Sequence, residues 1–246
     1  MLTAVDVGNT NIVLCQHDGV QWGPVQRFRT NTEHFPESLT VAVSAMEKSG
    51  RCVLCSVVPP LTDVIADILE ERFGNKPLII GNDIETGLIR ESLPADLGSD
   101  ILCNMIAAHH FYPDEYVTVA DFGTAFTTST VSPEGRMLGV TIAPGLMTSV
   151  KALFNNTYQI PSIKLDLPET VLGTDTISSI RAGVVFGFTG QLNAVVEQIE
   201  KEINHSVRLI ATGGFSSYIK PYVPKISKTD IFFTLEGART ACELNG

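Results

Sequence analysis

Apolar residues in this chain fall into short β-branched runs that alternate with longer segments of helical period. The runs Leu2-Thr3-Ala4-Val5 and Ile12-Val13-Leu14-Cys15, punctuated by Gly8-Asn9 and His17-Asp18-Gly19, predict three strands over residues 2–30. From about Phe35 to Met46 the pattern predicts a helix, opened by Pro36-Glu37-Ser38 and carrying Leu39, Val41, Val43 and Met46. Residues 51–58 are mostly apolar and predict a buried strand that ends at Pro59-Pro60. Leu61, Val64, Ile65, Ile68 and Leu69 then recur at helical spacing, which predicts a helix to Phe73. Pro77-Leu78-Ile79-Ile80 reads as a short strand. The order βββαβαβ calls for a mixed sheet with helices on its faces.

Residues 81–97 read as a loop, and a helix is predicted from Gly98-Ser99-Asp100 through Ala107-Ala108-His109. The strand pattern then restarts over residues 115–141. Ala143-Pro144-Gly145 opens a helix to about Phe154, and residues 155–172 are irregular. Gly173-Thr174-Asp175-Thr176 leads into a long helix with Ile180, Val184, Val185, Phe188, Leu192, Val195, Val196 and Ile199 on its apolar side. Val207 to Thr212 forms a strand closed by Gly213-Gly214, and Ile231-Phe232-Phe233 a last strand before a C-terminal helix. No low-complexity linker separates the halves, so the division is by duplication. The expectation is an α/β fold with a first lobe over residues 1–95 and a second over 96–246. Helix 98–110 and the C-terminal helix are expected to pack across both.

The repeat also carries chemistry. Asp6-Val7-Gly8-Asn9-Thr10-Asn11 follows the first apolar run, and Asp121-Phe122-Gly123-Thr124-Ala125-Phe126-Thr127 follows Val117-Thr118-Val119-Ala120. An Asp at a strand end offers oxygen to Mg²⁺ or its waters. A Gly lets the backbone approach a phosphate, and N–H groups with Asn and Thr side chains donate to its oxygens. One such loop reads as an ordinary hairpin tip. Two with the same Asp-x-Gly-[Asn/Thr] order, one in each half, favour a phosphate clamp.

Composition narrows the partners. The chain has 246 residues and 44% hydrophobic content, which excludes disorder. Its net charge of −10 argues against nucleic-acid binding through a basic surface. An anionic substrate remains open, because a local clamp works in an acidic protein. No apolar run approaches the ~18 residues of a membrane span, and Met1-Leu2-Thr3-Ala4-Val5-Asp6 lacks the pattern of a signal peptide. Five scattered cysteines fit a cytosolic protein with reduced thiols. Cys52-x-x-Cys55 lies within a predicted buried strand with no further ligands nearby, so it reads as core filler. His109-His110 sits at a helix end, where a cation suits the dipole, and Trp22 and Tyr158 read as packing residues.

With these blocks in order, the chain resembles the acetate and sugar kinase, heat-shock ATPase and actin superfamily, and more closely the type III pantothenate kinases. The resemblance rests on Asp6-Val7-Gly8-Asn9-Thr10, Ser56-Val57-Val58-Pro59, Gly98-Ser99-Asp100 with Asn104, and Asp121-Phe122-Gly123-Thr124-Ala125. Ile142-Ala143-Pro144-Gly145, Asp175-Thr176 with Arg181 and Gly183, and Thr212-Gly213-Gly214 extend it along nearly the whole chain. It implies two actin-like, ribonuclease-H-like lobes with a nucleotide cleft between them. It implies ATP-dependent phosphorylation of pantothenate, the first step of coenzyme A biosynthesis, by a cytoplasmic homodimer using Mg²⁺ and a monovalent cation, K⁺ or NH₄⁺. In that frame Asp6, Val7, Gly8, Asn9, Thr10, Asn11, Ile12 and Val13 cradle ATP, with Gly123 and Thr124 opposite. Asp121 holds the monovalent cation and Asp6 holds Mg²⁺ through water. Gly98, Ser99, Asp100, Ile101 and Thr176 line the pantothenate site, with Asp100 as general base. From residues alone, Ser99 or Asp100 is as readily a helix cap.

Three positions depart from the family pattern. Ile101 stands where the family's Gly-x-Asp-Arg has Arg, and loss of a charged hydrogen bond there costs roughly 1.5–3 kcal/mol. Arg90, in the preceding loop, is a candidate replacement. Val140 replaces a Gly, and Phe126 replaces a Thr, where its ring is expected to narrow the phosphate site. Two alternatives therefore stand beside the pantothenate kinase. One is an impaired paralogue acting as a nucleotide-binding or regulatory protein, for which accessory factors of a transcriptional regulator are a precedent. The other is a kinase for another small hydroxyl substrate.

Overall fold

β-Branched runs become strands where a neighbour strand completes their hydrogen bonds, and in this chain they do so twice. The computed structural model describes residues 1–30, 35–155 and 167–246. The first set is β1 (Leu2–Val7), β2 (Asn11–His17), β3 (Gln26–Arg29), α1 (Phe35–Ser44), β4 (Arg51–Ser56), α2 (Pro59–Phe73) and β5 (Leu78–Ile79). After α3 (Ser99–Phe111) come β6 (Val117–Phe122), β7 (Ala125–Val131), β8 (Met137–Pro144), α4 (Leu146–Asn155) and α5 (Thr176–Ile203). The chain ends with β9 (Arg208–Thr212), α6 (Ser216–Ile219), β10 (Ile226–Thr229) and α7 (Phe233–Leu244). The sheets are ordered β3-β2-β1-β4-β5 and β8-β7-β6-β9-β10. Each strand of the first thus has a counterpart in the second, which is the duplication expected from the pattern. β1 runs antiparallel to β2 and parallel to β4, and β6 does the same with β7 and β9.

Two compact units result: residues 1–113, 134–137 and 232–246 in one, and 114–133 with 138–231 in the other. The first unit takes in α3 and α7, beyond the boundary that the sequence suggests at residue 95. Its core sets Val5, Val7, Ile12 and Leu14 of the sheet against Leu39, Val43, Ile65 and Leu69 of α1 and α2. The second core joins Phe122, Phe126, Leu209 and Ala211 to Val185, Phe188, Leu192 and Val196 of α5. α3 and α7 lie so close that a Cβ on Gly237 would overlap the Cys103 carbonyl. Trp22 docks the β2–β3 connection onto α7, stacking on Phe232 and donating its indole N–H to Glu236 at 2.9 Å.

The structure corrects one predicted element. Ile231-Phe232-Phe233 is not a strand: Ile231 is 60% exposed, Phe232 precedes α7, and Phe233 is its first, buried residue. The strand is β10, five residues earlier at Ile226. β8 extends through Pro144 because it is an edge strand, where a missing N–H leaves no ladder bond unmade. Tyr158 and residues 156–166 of the irregular stretch lie outside the described residues.

Candidate functional site

Asp6 stands near the end of β1, opposite Val13 of β2 and Cys55 of β4. The loop that follows is tight. Gly8 donates its N–H to the Asn11 carbonyl at 3.0 Å, and a Cβ on Gly8 would lie 3.2 Å from that oxygen. Thr30 closes the loop from the side, its hydroxyl donating to the Gly8 carbonyl at 2.7 Å and its N–H to the Thr10 carbonyl at 3.1 Å. Val7 and Ile12 are fully buried in the core. Of this run, only their backbone groups can serve a ligand, whereas Asn9 is exposed and Asp6, Thr10, Asn11 and Val13 are half-buried.

α3 begins beside the same strand end. Gly98 is its N-cap, with extended backbone and no side-chain cap bond, so neither Ser99 nor Asp100 is the cap residue. The Ser99 hydroxyl points inward, donating to the Ser56 carbonyl at 2.8 Å and accepting from the Cys55 thiol at 3.4 Å. Asp100 folds its carboxylate onto the first turn, accepting the Ile101 N–H at 2.8 Å. A Cβ on Gly98 would lie 2.7 Å from Asp100 Oδ1, so Gly here makes room for the carboxylate. Burial pushes the Asp100 carboxyl above the usual carboxylate range, against the pull of the Ile101 and Asp100 N–H groups. The fully buried Cys55 thiol is pushed well up by its hydrogen bond with Cys103, by burial, and by the charges of Cys103, Asp6 and Asp100. One thiol thus lies in the field of both carboxylates. The structure gathers Asp6 and Asp100, which the sequence separates by a whole sheet, at one corner of the first unit.

The second unit repeats the strand-end geometry. Asp121 sits opposite Thr127 of β7 and Thr212 of β9, the register of Asp6 with Val13 and Cys55. Gly213 has φ +83°, and a Cβ there would lie 2.5 Å from Asp121 Oδ1. The loop Gly123-Thr124 is backed by the start of α4: Gly145 donates its N–H to the Thr124 carbonyl at 3.0 Å and Thr148 its hydroxyl at 2.6 Å. Thr124 itself is exposed. Thr176 is the exposed first residue of α5. Its neighbour Asp175 is the cap, accepting the Ile177 and Ser178 N–H groups at 2.9 and 3.0 Å. Those bonds, the Ser178 N–H first, hold Asp175 below the usual range.

One expectation changes. Phe126 does not narrow a phosphate site: it is 1% exposed, its ring 4.9 Å from Phe122 and 5.8 Å from Phe188 in the core. Ile101 is buried, and Arg90 donates to the Ile84 carbonyl at 3.2 Å within its own loop. Cys52 and Cys55 are both buried and free, as their place in a core strand suggests. Thr30 and the Cys55–Ser99 contact escape sequence reasoning, because no local pattern marks a residue that closes a distant loop. Among the described residues there is no cluster of three or more His, Cys, Asp or Glu that would hold a metal alone. None of their helices is long and apolar enough to cross a membrane.

Comparison with known proteins agrees in one direction. A family model described as type III pantothenate kinase matches residues 2–198. The type III pantothenate kinase of Syntrophus aciditrophicus is 34% identical, with 100% of each chain covered. That of Geobacter sulfurreducens is 35% identical over 100% of this chain and 99% of its own. Solved structures share the fold at lower identity. A Campylobacter jejuni protein described as a Baf family transcriptional activator has a TM-score of 0.62 at 18% identity, covering 98% of this chain and 97% of its own. The ROK hexokinase of Thermus thermophilus has a TM-score of 0.56 at 14% identity, covering 99% and 98%. MreB 5 of Spiroplasma citri has 0.53 at 10% identity, covering 97% and 94%.

Proposed function

The chain belongs to the type III pantothenate kinase family, and on that premise we propose that it transfers a phosphoryl group from ATP to the hydroxyl of pantothenate, with Asp100 receiving the hydroxyl proton. This makes 4′-phosphopantothenate, the first step of coenzyme A biosynthesis. One observation carries the assignment of the base: Asp100 is a half-buried carboxylate at the start of α3, its pKa raised by desolvation, in the same neighbourhood as the Asp6 loop. Phosphoryl transfer asks the protein for positioning and charge neutralisation more than covalent work. A carboxyl shifted upward is a better match for a proton leaving an alcohol than an ordinary one.

The remaining roles follow from the chemistry of each group. The backbone from Asp6 to Val13, with Asn9, Thr10 and Asn11, suits ATP phosphate oxygens, and Gly123 and Thr124 offer the same groups on the second unit. Asp6 would hold Mg²⁺, through water, and that ion would neutralise phosphate charge when bound. A single carboxylate fits this use, since Mg²⁺ keeps several waters and takes phosphate oxygens as ligands. Asp121, its oxygen boxed in by Gly213, would hold K⁺ or NH₄⁺. Gly98, Asp100, Ile101 and Thr176 supply the pantothenate contacts. A cytoplasmic homodimer is the assembly we propose, with two lobes divided near residue 95.

A coupled ADP-release assay with pantothenate, Mg²⁺ and K⁺ tests the reading. Turnover in the wild type that collapses in Asp100→Asn supports it; equal rates in the two refute it. Buried Ile101 favours one second reading, a neutral hydroxyl substrate in place of a carboxylate. A greater kcat/KM for pantetheine than for pantothenate would select it.

A further inference from the structure

We propose that Ser99 is a positioning residue: its hydroxyl fastens the first turn of α3 to the end of β4 and so fixes where Asp100 stands, without touching the substrate. The inference rests on the reading of Asp100 as the base. It also departs from the place that sequence gives Ser99 in the substrate site.

Four observations carry it. Ser99 is 7% exposed, so its side chain faces the protein interior. Its single proton is committed to the Ser56 carbonyl at 2.8 Å, and its oxygen accepts from the Cys55 thiol at 3.4 Å. The receiving strand end is itself held: Val57 donates its N–H to the Val7 carbonyl at 3.0 Å, and Thr62 of α2 its hydroxyl to Ser56 Oγ at 2.8 Å. Finally, the helix start has no side-chain cap bond of its own, so this anchor is what ties the turn to the sheet.

The geometry gives the anchor a consequence. Asp100 is the next residue, and its carboxylate lies on the same turn, against Gly98. The titratable groups gathered there are Asp6 of β1, Cys55 of β4 and Cys103 of α3. Releasing the turn lets more water reach the half-buried Asp100 and lets it drift from the Asp6 loop. Small misplacements of a reacting group cost large factors in rate while leaving ground-state binding nearly intact.

The test compares wild type with Ser99→Ala and Ser99→Thr. In Ser99→Ala, kcat is expected to fall about tenfold, with both KM values within about twofold. The acid limb of the pH–rate profile should move to lower pH, and Ser99→Thr, which keeps the hydroxyl, should restore both. A rise in the KM for pantothenate at unchanged kcat would instead make Ser99 a substrate contact. A second readout does not depend on turnover: ¹³C NMR titration of the Asp100 carboxyl, expected at lower pH in Ser99→Ala. An unmoved titration overturns the inference. Should wild type fail to turn over pantothenate, the functional reading fails and this titration alone decides the role of Ser99. If Ser99→Ala does not fold, Cys55→Ala removes the thiol donor to Ser99 together with its bond to Cys103 while leaving the Ser99 to Ser56 bond, and a smaller downward shift supports the anchor while no shift refutes it.

Discussion

Asp100 is held where its charge is disfavoured, which links catalysis to stability. Burial raises its folded pKa above that of the unfolded chain. The folded state therefore binds the proton more tightly, and the cost of the ionised form grows as pH rises through the folded pKa. Asp100→Asn removes that cost. It should lower kcat by about 10²–10⁴-fold and yet raise the melting temperature at ~pH 8 by on the order of 2 °C. At ~pH 4, near the unfolded pKa, the gain should vanish; melting curves at both pH values check the sign. Ile101 offers the converse experiment. Ile101→Arg adds a donor for a carboxylate, and the KM for pantothenate should fall about tenfold while that for ATP holds; steady-state kinetics read both. At this scale sequence located Asp6, Asp100 and Asp121, because Asp at a strand or helix end is a local pattern. It missed the partners that hold them, Ser56 for Ser99 and Thr30 for Gly8, since those contacts span dozens of residues.

The elements were legible where burial enforces a period. β1, β4, β6 and β9 are apolar on both faces and stood out as runs. β10 did not, because Ile226-Ser-Lys-Thr is a short edge strand with two exposed positions. Ile231-Phe232-Phe233 imitates a strand by propensity, but the buried Phe233 opens α7. Glycine spacing reveals which elements tolerate no shift. Gly237→Ala would drive a methyl into the Cys103 carbonyl and part α3 from α7. Destabilisation of about 3 kcal/mol is expected, against the ~1 kcal/mol that Ala gains in a helix. Urea unfolding followed by the fluorescence of Trp22, which docks on α7, measures it. Gly213→Ala presses on the Asp121 carboxylate at the end of β6. There the K⁺ concentration for half-maximal rate should rise with little change in the KM for pantothenate, as a cation titration at fixed substrate would show.

For the molecule as a whole, the duplicated strand order was the most legible feature, because it follows from a pattern written twice. The same strand-end register then puts Asp6 and Asp121 at equivalent points of the two sheets. The division into compact units was less legible: α3 and α7 join the first unit through packing against each other, and no sequence boundary marks that. What the family frame leaves to experiment is whether this chain, with Ile101 next to Asp100, phosphorylates pantothenate through Asp100. The most direct measurement is mass-spectrometric quantification of phosphopantothenate formed from ATP and pantothenate with Mg²⁺ and K⁺, by wild type and by Asp100→Asn. The account predicts product that accumulates with wild-type enzyme and is nearly absent with the variant. Product formed equally by both would contradict the role of Asp100, and none from either would contradict pantothenate as the substrate.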